Sequence, residues 1–357
     1  MRILVVDDSA LYRKLLSDAA LSIPGAETTA VSGGELAIKR LESEKFDLVL
    51  LDVFMDKMDG LQTVTKIKEA HPHLPVVMVS GATGRDAEIT IECLAHGAMD
   101  FIPKPSSSYF ESGMEALKAE IRKVATFARL RNTSSSLSSA PSAASAPIAN
   151  PVPVHTPAKR LQPPSFPDVV LIGVSTGGPN ALYSMVPIIS EKLPVPILLV
   201  QHMPPYFTKS LAEQLNKTSS LSIKEAAGGE IPQAGELLIA PGGFHMEVFR
   251  NDSGKLETRI TSNPHVNSCR PSVDVLFESA SRCNLRGAIA IILTGMGNDG
   301  ADGVASLKNT CPTWCIAQDA ATSTVYGMPQ AVAQRNLHDE ILPLQEIGPR
   351  INKLFRI

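Results

Sequence analysis

Between residues 133 and 164 the chain is dominated by Ser, Ala and Pro, with few aromatic or β-branched residues outside Ile148, Val152 and Val154. Such a stretch buries too little apolar area to offset the entropy of ordering it, so it predicts a flexible tether. The 357 residues are thereby divided into two bodies, each long enough for its own core. The predicted boundaries are 1–124 for the first body, 125–165 for a helix end and linker, and 166–357 for the second. A helix rich in Lys, Glu, Ala and Arg near 111–131 leads into the tether.

Both bodies read as α/β. In the first, short apolar runs at 2–6, 28–31 (weaker), 47–51, 75–79 and 101–102 alternate with amphipathic helical patterns. That alternation predicts a parallel sheet with helices on both faces. In the second, runs at 169–172, 197–201, 236–239, 288–293 and 314–317 again alternate with helical spacing, predicting a doubly wound, mostly parallel sheet. Residues 247–250 and 255–260 flank Asp252-Ser-Gly254 and predict a small antiparallel hairpin.

Charge and cysteine usage remove several function classes. A formal net charge of −3 with no basic stripe leaves no electrostatic footprint for nucleic acid. Neither a helix-turn-helix nor a basic face supports a transcription regulator. Cys93, Cys269, Cys283, Cys311 and Cys315 are irregularly spaced, so reduced thiols are expected, not a disulfide framework or zinc site. Met1–Val6 and the two aspartates after it lack the apolar stretch and cleavage site of a signal peptide, and no apolar run approaches membrane length, so a cytoplasmic location with no membrane insertion is expected.

Asp7 and Asp8 close the first predicted strand, Asp52 the third and Ser80 the fourth, while Lys104 follows the fifth. The carboxyl ends of parallel strands open on one edge of a doubly wound sheet, so these side chains can converge. Three carboxylates there make a hard oxygen site suited to Mg²⁺. Beside it Asp52 can attack phosphorus and become an acyl phosphate, with Ser80 and Lys104 placed to bind the phosphoryl oxygens. Each of the five is an ordinary loop residue when taken singly; the ordered set carries the reading.

Residues 1 to about 120 resemble the receiver domain of bacterial two-component response regulators. The resemblance rests on Val5-Val-Asp-Asp-Ser9, Leu50-Leu-Asp-Val53, Met58-Asp-Gly60, Val79-Ser80 and Pro103-Lys-Pro105. It implies a flavodoxin-like sheet of five parallel strands, with Asp52 as the phosphorylation site. It also places Phe101 where the family has an aromatic that changes rotamer on activation, and a cis peptide at Lys104-Pro105. Phe54 and Asp56 depart from the family's polar residue and proline, which bears on the lifetime of the acyl phosphate.

In the second body Gly173-Val-Ser-Thr-Gly-Gly178 follows the run 169–172, so Ser175 sits where a buried strand stops and a helix starts. Flanking glycines allow a sharp turn and a close approach, and Gly173-x-Ser-x-Gly177 matches a nucleophile elbow. His202 and Asp299 follow two further apolar runs, completing the parts of a nucleophilic hydrolase. The order Ser175, His202, Asp299 differs from the α/β-hydrolase order, which excludes that fold and leaves the chemistry open. A strand–glycine loop–helix can also cradle a nucleotide phosphate, although no acidic residue closes a second strand about twenty residues on. His245 and His265 compete for the base. Asp302 competes for the acid, but in a first helical turn it also simply suits the dipole.

More specific motifs follow: Gly173-Val-Ser-Thr-Gly-Gly-Pro179, Val200-Gln-His-Met-Pro204, Ala240-Pro-Gly-Gly243, Arg270-Pro-Ser-Val-Asp274, Leu293-Thr-Gly-Met-Gly297 and Tyr326-Gly-Met-Pro329. Together they resemble the chemotaxis protein-glutamate methylesterase family, CheB, over about 168–350. The resemblance implies Ser175 as nucleophile, His202 as general base and Asp299 as its orienting acid. It implies backbone N–H groups of Met296 and Thr176 as oxyanion donors, and no cofactor for this site. It further implies hydrolysis of glutamate γ-methyl esters and deamidation of glutamines on methyl-accepting chemoreceptors, with a CheA-type histidine kinase as phosphodonor. Cys269 stands where the family usually has a histidine, Gly228-Gly229 replaces Asp-Gly, and Ala320 replaces an acidic residue.

Overall fold

Five strands pair in parallel at the start of the chain: β1 (Arg2–Val6), β2 (Glu27–Val31), β3 (Leu48–Asp52), β4 (Val76–Ser80) and β5 (Asp100–Pro103). The computed structural model describes residues 1–81, 83–104, 110–134 and 162–357. Two compact units result, Met1–His155 and Thr156–Ile357. In the first, the strand order β2-β1-β3-β4-β5 is the flavodoxin-like order. β3 and β4 are buried at every position, because helices cover both faces of a parallel sheet. Those helices are α1 (Ala10–Leu21), α2 (Gly34–Ser43), α3 (Gly60–Ala70), α4 (Gly84–Ala95) and α5 (Phe110–Ser134). Ile3, Val5, Leu16, Leu48, Val77 and Ile121 share one core cluster.

Strand ends move by a residue or so from the sequence reading. Asp47, expected to open β3, instead accepts the Arg2 backbone N–H on its side chain at 2.7 Å. The helix before the tether extends to Ser134, a few residues beyond its expected end. Residues 135–161 of the expected tether, and Pro105 with its expected cis bond, lie outside the described residues.

The second unit is a seven-stranded sheet, every neighbouring pair parallel. Its strands are β6 (Val169–Val174), β7 (Ile197–Gln201), β8 (Ser222–Glu225), β9 (Glu236–Ile239), and, after the hairpin of β10 (His245–Arg250) and β11 (Leu256–Thr261), β12 (Ala288–Ile292), β13 (Thr313–Gln318) and β14 (Glu340–Leu342). The order is β14-β13-β12-β6-β7-β9-β8. The hairpin falls where it was expected. The two outermost strands were not expected: β8 reads Ser-Ile-Lys-Glu and β14 only Glu-Ile-Leu. Short, charged segments are what sheet edges carry, and they lack the apolar run used to find strands.

Helices α6 (Gly178–Met185), α7 (Phe207–Thr218), α8 (Val273–Ser281), α9 (Ala301–Thr310), α10 (Met328–Gln334) and α11 (Leu344–Phe355) complete this unit. Val169, Leu171, Val273, Phe277, Ile292 and Val304 join one core cluster. The hairpin is tied to α8, since Val248 N–H donates to Ser279 Oγ at 2.9 Å. Among the described residues, no helix is long and apolar enough to cross a membrane.

Candidate active site

β6 lies between β12 and β7, so the chain leaves it towards one side of the sheet and returns later on the other. That reversal opens a crevice at the carboxyl ends of the strands, the usual ligand position in open α/β sheets. Ser175 follows β6, His202 follows β7, and Asp299 lies between β12 and α9. Ser175 N–H donates to Thr294 O at 3.0 Å, His202 N–H donates to Val174 O at 3.1 Å, and Gln201 Nε2 donates to Ser175 O at 2.9 Å. The three strand ends are therefore stitched together by backbone as well as side chain.

The glycines around the serine answer to packing. A Cβ on Gly173 would stand 2.4 Å from Val273 Cγ1. Gly177 caps α6 with φ +72°, and a Cβ there would stand 2.4 Å from Thr324. Ser175 itself has no positive φ. The sharp feature of this elbow is Gly177, unlike the strained nucleophile of α/β-hydrolases.

Asp299 is buried and carries five hydrogen-bonding neighbours. His202 Nε2 lies 2.7 Å from its Oδ2, and Val273 N–H donates to the same oxygen at 2.7 Å. Oδ1 accepts from Ser272 Oγ at 2.8 Å, Asn267 Nδ2 at 3.0 Å and Asp274 N–H at 3.1 Å. Ser272 is the N-cap of α8, so the carboxylate rests on that helix's positive N-terminal end. Burial opposes its charge, but His202, Asn267 and the Val273 N–H outweigh burial and hold Asp299 well below the usual carboxylate range. Burial likewise opposes an imidazolium at His202. The Asp299 carboxylate and Cys269 outweigh it, and the group is raised to about 9.

Nε2 faces Asp299, so Nδ1 is the His202 nitrogen turned away from that carboxylate. Its neighbour is Cys269 Sγ at 3.5 Å. Among the described residues, the Ser175 hydroxyl makes no hydrogen bond, and the Thr176 and Met296 N–H groups have no acceptor. The structure thus joins His202 to Asp299 and brings Ser175 to the same crevice without a serine–histidine hydrogen bond. Gly295 lets the chain pass the serine: a Cβ there would come within 2.8 Å of Ser175 Cβ.

The competing residues have other partners. His245 is buried, its Nε2 3.0 Å from Pro264 O, while its Nδ1 accepts from Ser272 N–H at 3.2 Å. Asp302 pairs with Arg335 at 2.7 Å on the surface, and His265 is exposed. Asn267, Ser272, Asp274 and Gln201 were missed as site residues. Gln201, Ser272 and Asp274 lie inside the quoted motifs, and Ser272 also directly precedes an apolar helical run, whereas Asn267 had no local signal.

In the first unit, Lys104 Nζ lies 2.8 Å from Asp52 Oδ1 and 3.0 Å from Asp7 Oδ2, and 4.4 Å from the Tyr12 ring centroid. Val53 N–H also donates to Asp52 Oδ1 at 2.8 Å. Burial raises Asp52 to about 6, against the opposing pull of Lys104. Gly60 allows a close crossing, since a Cβ there would meet Asp52 O at 2.5 Å. Ser80 is buried and accepts from Thr90 Oγ1 at 2.6 Å, so its hydroxyl is engaged away from Asp52. Phe54 is exposed, with the Arg85 guanidinium over its ring. One carboxylate oxygen each from Asp7, Asp8 and Asp52 falls within a common 4.8 Å. Asp7 Oδ2 is buried without a well-formed hydrogen bond, despite Lys104 nearby. An all-oxygen set with an under-satisfied anion fits a hard divalent cation.

Comparison with known proteins agrees with this two-part arrangement. The family model for CheB methylesterase matches residues 170–351, and that for the response regulator receiver domain matches residues 3–110. A protein-glutamate methylesterase/protein-glutamine glutaminase of Desulfotalea psychrophila is 39% identical, covering 98% of this chain and 97% of its own. One of Oceanobacillus iheyensis is 40% identical, covering 99% and 98% respectively. The crystal structure of the Thermotoga maritima CheB methylesterase catalytic domain shares 40% identity, with a TM-score of 0.51, covering 52% of this chain and 98% of its own.

Proposed function

Since the chain belongs to the CheB methylesterase family and carries a receiver domain ahead of the esterase, we propose that it hydrolyses glutamate γ-methyl esters, and deamidates particular glutamines, on methyl-accepting chemoreceptors, under control of phosphorylation at Asp52. The enzyme is a carboxylic ester hydrolase with glutaminase activity. Ser175 is the nucleophile, His202 the general base and Asp299 the orienting acid. The observation that carries this assignment is the His202 Nε2–Asp299 contact at 2.7 Å beside the strand end that holds Ser175.

Ser175 Oγ attacks the γ-carbonyl while His202 Nδ1 takes its proton; the same nitrogen then returns the proton to the leaving methanol or ammonia. Water, activated by Nδ1 in turn, releases the glutamate from the acyl-serine. Asp299 keeps Nε2 protonated and stabilises the imidazolium. The open N–H groups of Thr176 and Met296 suit the oxyanion, and one such donor is worth about 2.7–4 kcal/mol. Nδ1 faces Cys269 in the resting structure, so turnover requires it to be given over to Ser175; catalytic hydrogen bonds often tighten only with substrate bound.

On the receiver, Asp52 accepts the phosphoryl group from a CheA-type histidine kinase in the cytoplasm. Asp7, Asp8 and Asp52 would hold Mg²⁺, which supplies charge neutralisation for phosphoryl oxygens. Lys104 compensates the same oxygens, and Ser80 leaves Thr90 to reach them. Residues 1–124 form the receiver in this reading, 125–165 the helix end and tether, and 166–357 the esterase. In this reading phosphorylation at Asp52 relieves the receiver's inhibition of the esterase.

The test is methanol release from methylated receptor with and without a small-molecule phosphodonor. Phosphodonor should accelerate the wild type and have no effect on Asp52→Asn, while Ser175→Ala should lose turnover yet still be phosphorylated. Equal rates with and without phosphodonor would remove the regulatory claim.

A further inference from the structure

Among the five cysteines, Cys93, Cys283, Cys311 and Cys315 are buried, and burial pushes the Cys93 and Cys315 thiols up to about 12. Cys269 is the partly exposed one, and it stands in a hydrogen-bonded series: Cys269 Sγ is 3.5 Å from His202 Nδ1, and His202 Nε2 is 2.7 Å from Asp299 Oδ2. With Nε2–H directed at the carboxylate, Nδ1 of the neutral imidazole presents its lone pair to the thiol. Thiol, imidazole and carboxylate in this order are the parts of an activated cysteine nucleophile.

A specific turn sets the thiol in place. Val266 and Cys269 exchange both backbone hydrogen bonds, at 2.8 and 3.1 Å, and between them Asn267 and Ser268 take φ of +52° and +63°. Two successive left-handed non-glycine residues persist only where surrounding contacts hold them. The turn delivers two contacts to the same centre: the Asn267 amide to Asp299 and Asp274, and the Cys269 thiol to His202. The backbone of the turn therefore sets where the Cys269 Cβ lies, on the side of His202.

We propose that Cys269 is a modification site for low-molecular-weight disulfides, and that its modification switches the esterase off. With the imidazole neutral, Cys269 Sγ attacks one sulfur of RS–SR while its proton passes to His202 Nδ1. The S–S bond breaks, and its electron pair leaves with the second sulfur, which takes the proton from Nδ1 and departs as RSH. Cys269 ends as the mixed disulfide Cys269–S–SR, oxidised as the departing sulfur of RS–SR is reduced to RSH. The adduct occupies the space before Nδ1, withholding the base from Ser175, and a thiol reductant reverses it. The loss of turnover rests on the proposed role of His202; the labelling chemistry does not depend on Ser175.

Oxidised glutathione, with the full chain, is the probe. Peptide mapping by mass spectrometry should find the first glutathionyl group on Cys269, about 10-fold or more ahead of any other cysteine. His202→Gln should slow that labelling about 10-fold or more, as loss of a general base does. Turnover should fall in step with labelling and return with dithiothreitol, and Cys269→Ser, whatever its basal rate, should lose nothing to the probe. Ser175→Ala separates the two readings: its labelling should match wild type although its turnover is lost. First labelling elsewhere, an unchanged rate in folded His202→Gln, or equal inactivation of Cys269→Ser would overturn the proposal. Unfolding of a variant would be visible as labelling of the four buried thiols.

Discussion

Asp274 and Asp299 are joined through one amide: Asn267 Nδ2 donates to Asp274 Oδ2 at 2.8 Å and to Asp299 Oδ1 at 3.0 Å. The two buried carboxyl groups divide the charge between them. Asp299 has His202 and the α8 terminus and remains ionised. Burial, and then the neighbouring Asp299 charge, raise Asp274 to about 7, while its Oδ1 accepts from the N–H groups of Gly300 and Gly303 at 2.8 and 2.7 Å. Asn267 thus positions the carboxylate that positions His202.

Asn267→Gly keeps the left-handed turn without its strain and deletes the amide. A hydrogen bond to a charged group contributes about 1.5–3 kcal/mol, so kcat/KM should fall roughly 10–100-fold. The melting temperature should move little, because glycine relieves φ +52°. Steady-state kinetics beside a thermal melt checks this; a parallel loss of both would mean that the amide serves stability alone.

The raised His202 sets the pH profile. A general base must be neutral, and a value of about 9 keeps His202 protonated through neutrality, so kcat/KM should climb with pH until about 9. Asp299→Asn removes the charge that favours the imidazolium, so the rising limb should shift to lower pH while the rate drops about 10⁴-fold. For stability the sign is the reverse: the gain from His202 is full below its ordinary value of about 6.5 and is lost as pH rises through about 9. Rate and melting profiles from pH 5 to 10 test both.

Gly295→Ala should injure catalysis more than folding. The added Cβ would lie 2.8 Å from Ser175 Cβ and 2.3 Å from Met328 Sδ. The methionine can yield, at about 1–3 kcal/mol for an overpacked site. The serine cannot yield without losing alignment, and a shift of about 1 Å costs on the order of 100-fold. A kcat reduced at nearly constant KM is expected.

Lys104→Ala should destabilise the unphosphorylated receiver. Asp7 and Asp52 are both buried and share this one ammonium. Breaking a buried pair costs about 3–5 kcal/mol, read as a lowered receiver transition in a thermal scan. Millimolar Mg²⁺ should restore part of the loss if the three carboxylates bind it; no restoration would count against that site.

Much of the architecture is legible from local pattern. Apolar runs mark β3, β6 and β12, because strands buried on both faces must be continuously apolar. Where those runs stop, Asp52, Ser175 and Asp299 can be named from the chain alone. The edges β8 and β14 escape the same test because they are short and charged. Asn267 and Cys269 escape it too, since a turn carries no periodicity.

The sequence by itself therefore determined the two α/β bodies and the candidate serine, histidine and acid, since strand burial and strand ends are properties of neighbouring residues. Only the tertiary structure decided which groups meet. His202 and Asp299 stand 97 residues apart and meet because β6 inserts between β12 and β7. The charge on Asp299 is held by the start of α8, and Nδ1 of His202 faces Cys269, which a left-handed turn brings beside it. These are contacts between separate loops, set by sheet order and backbone geometry that no run of adjacent residues encodes.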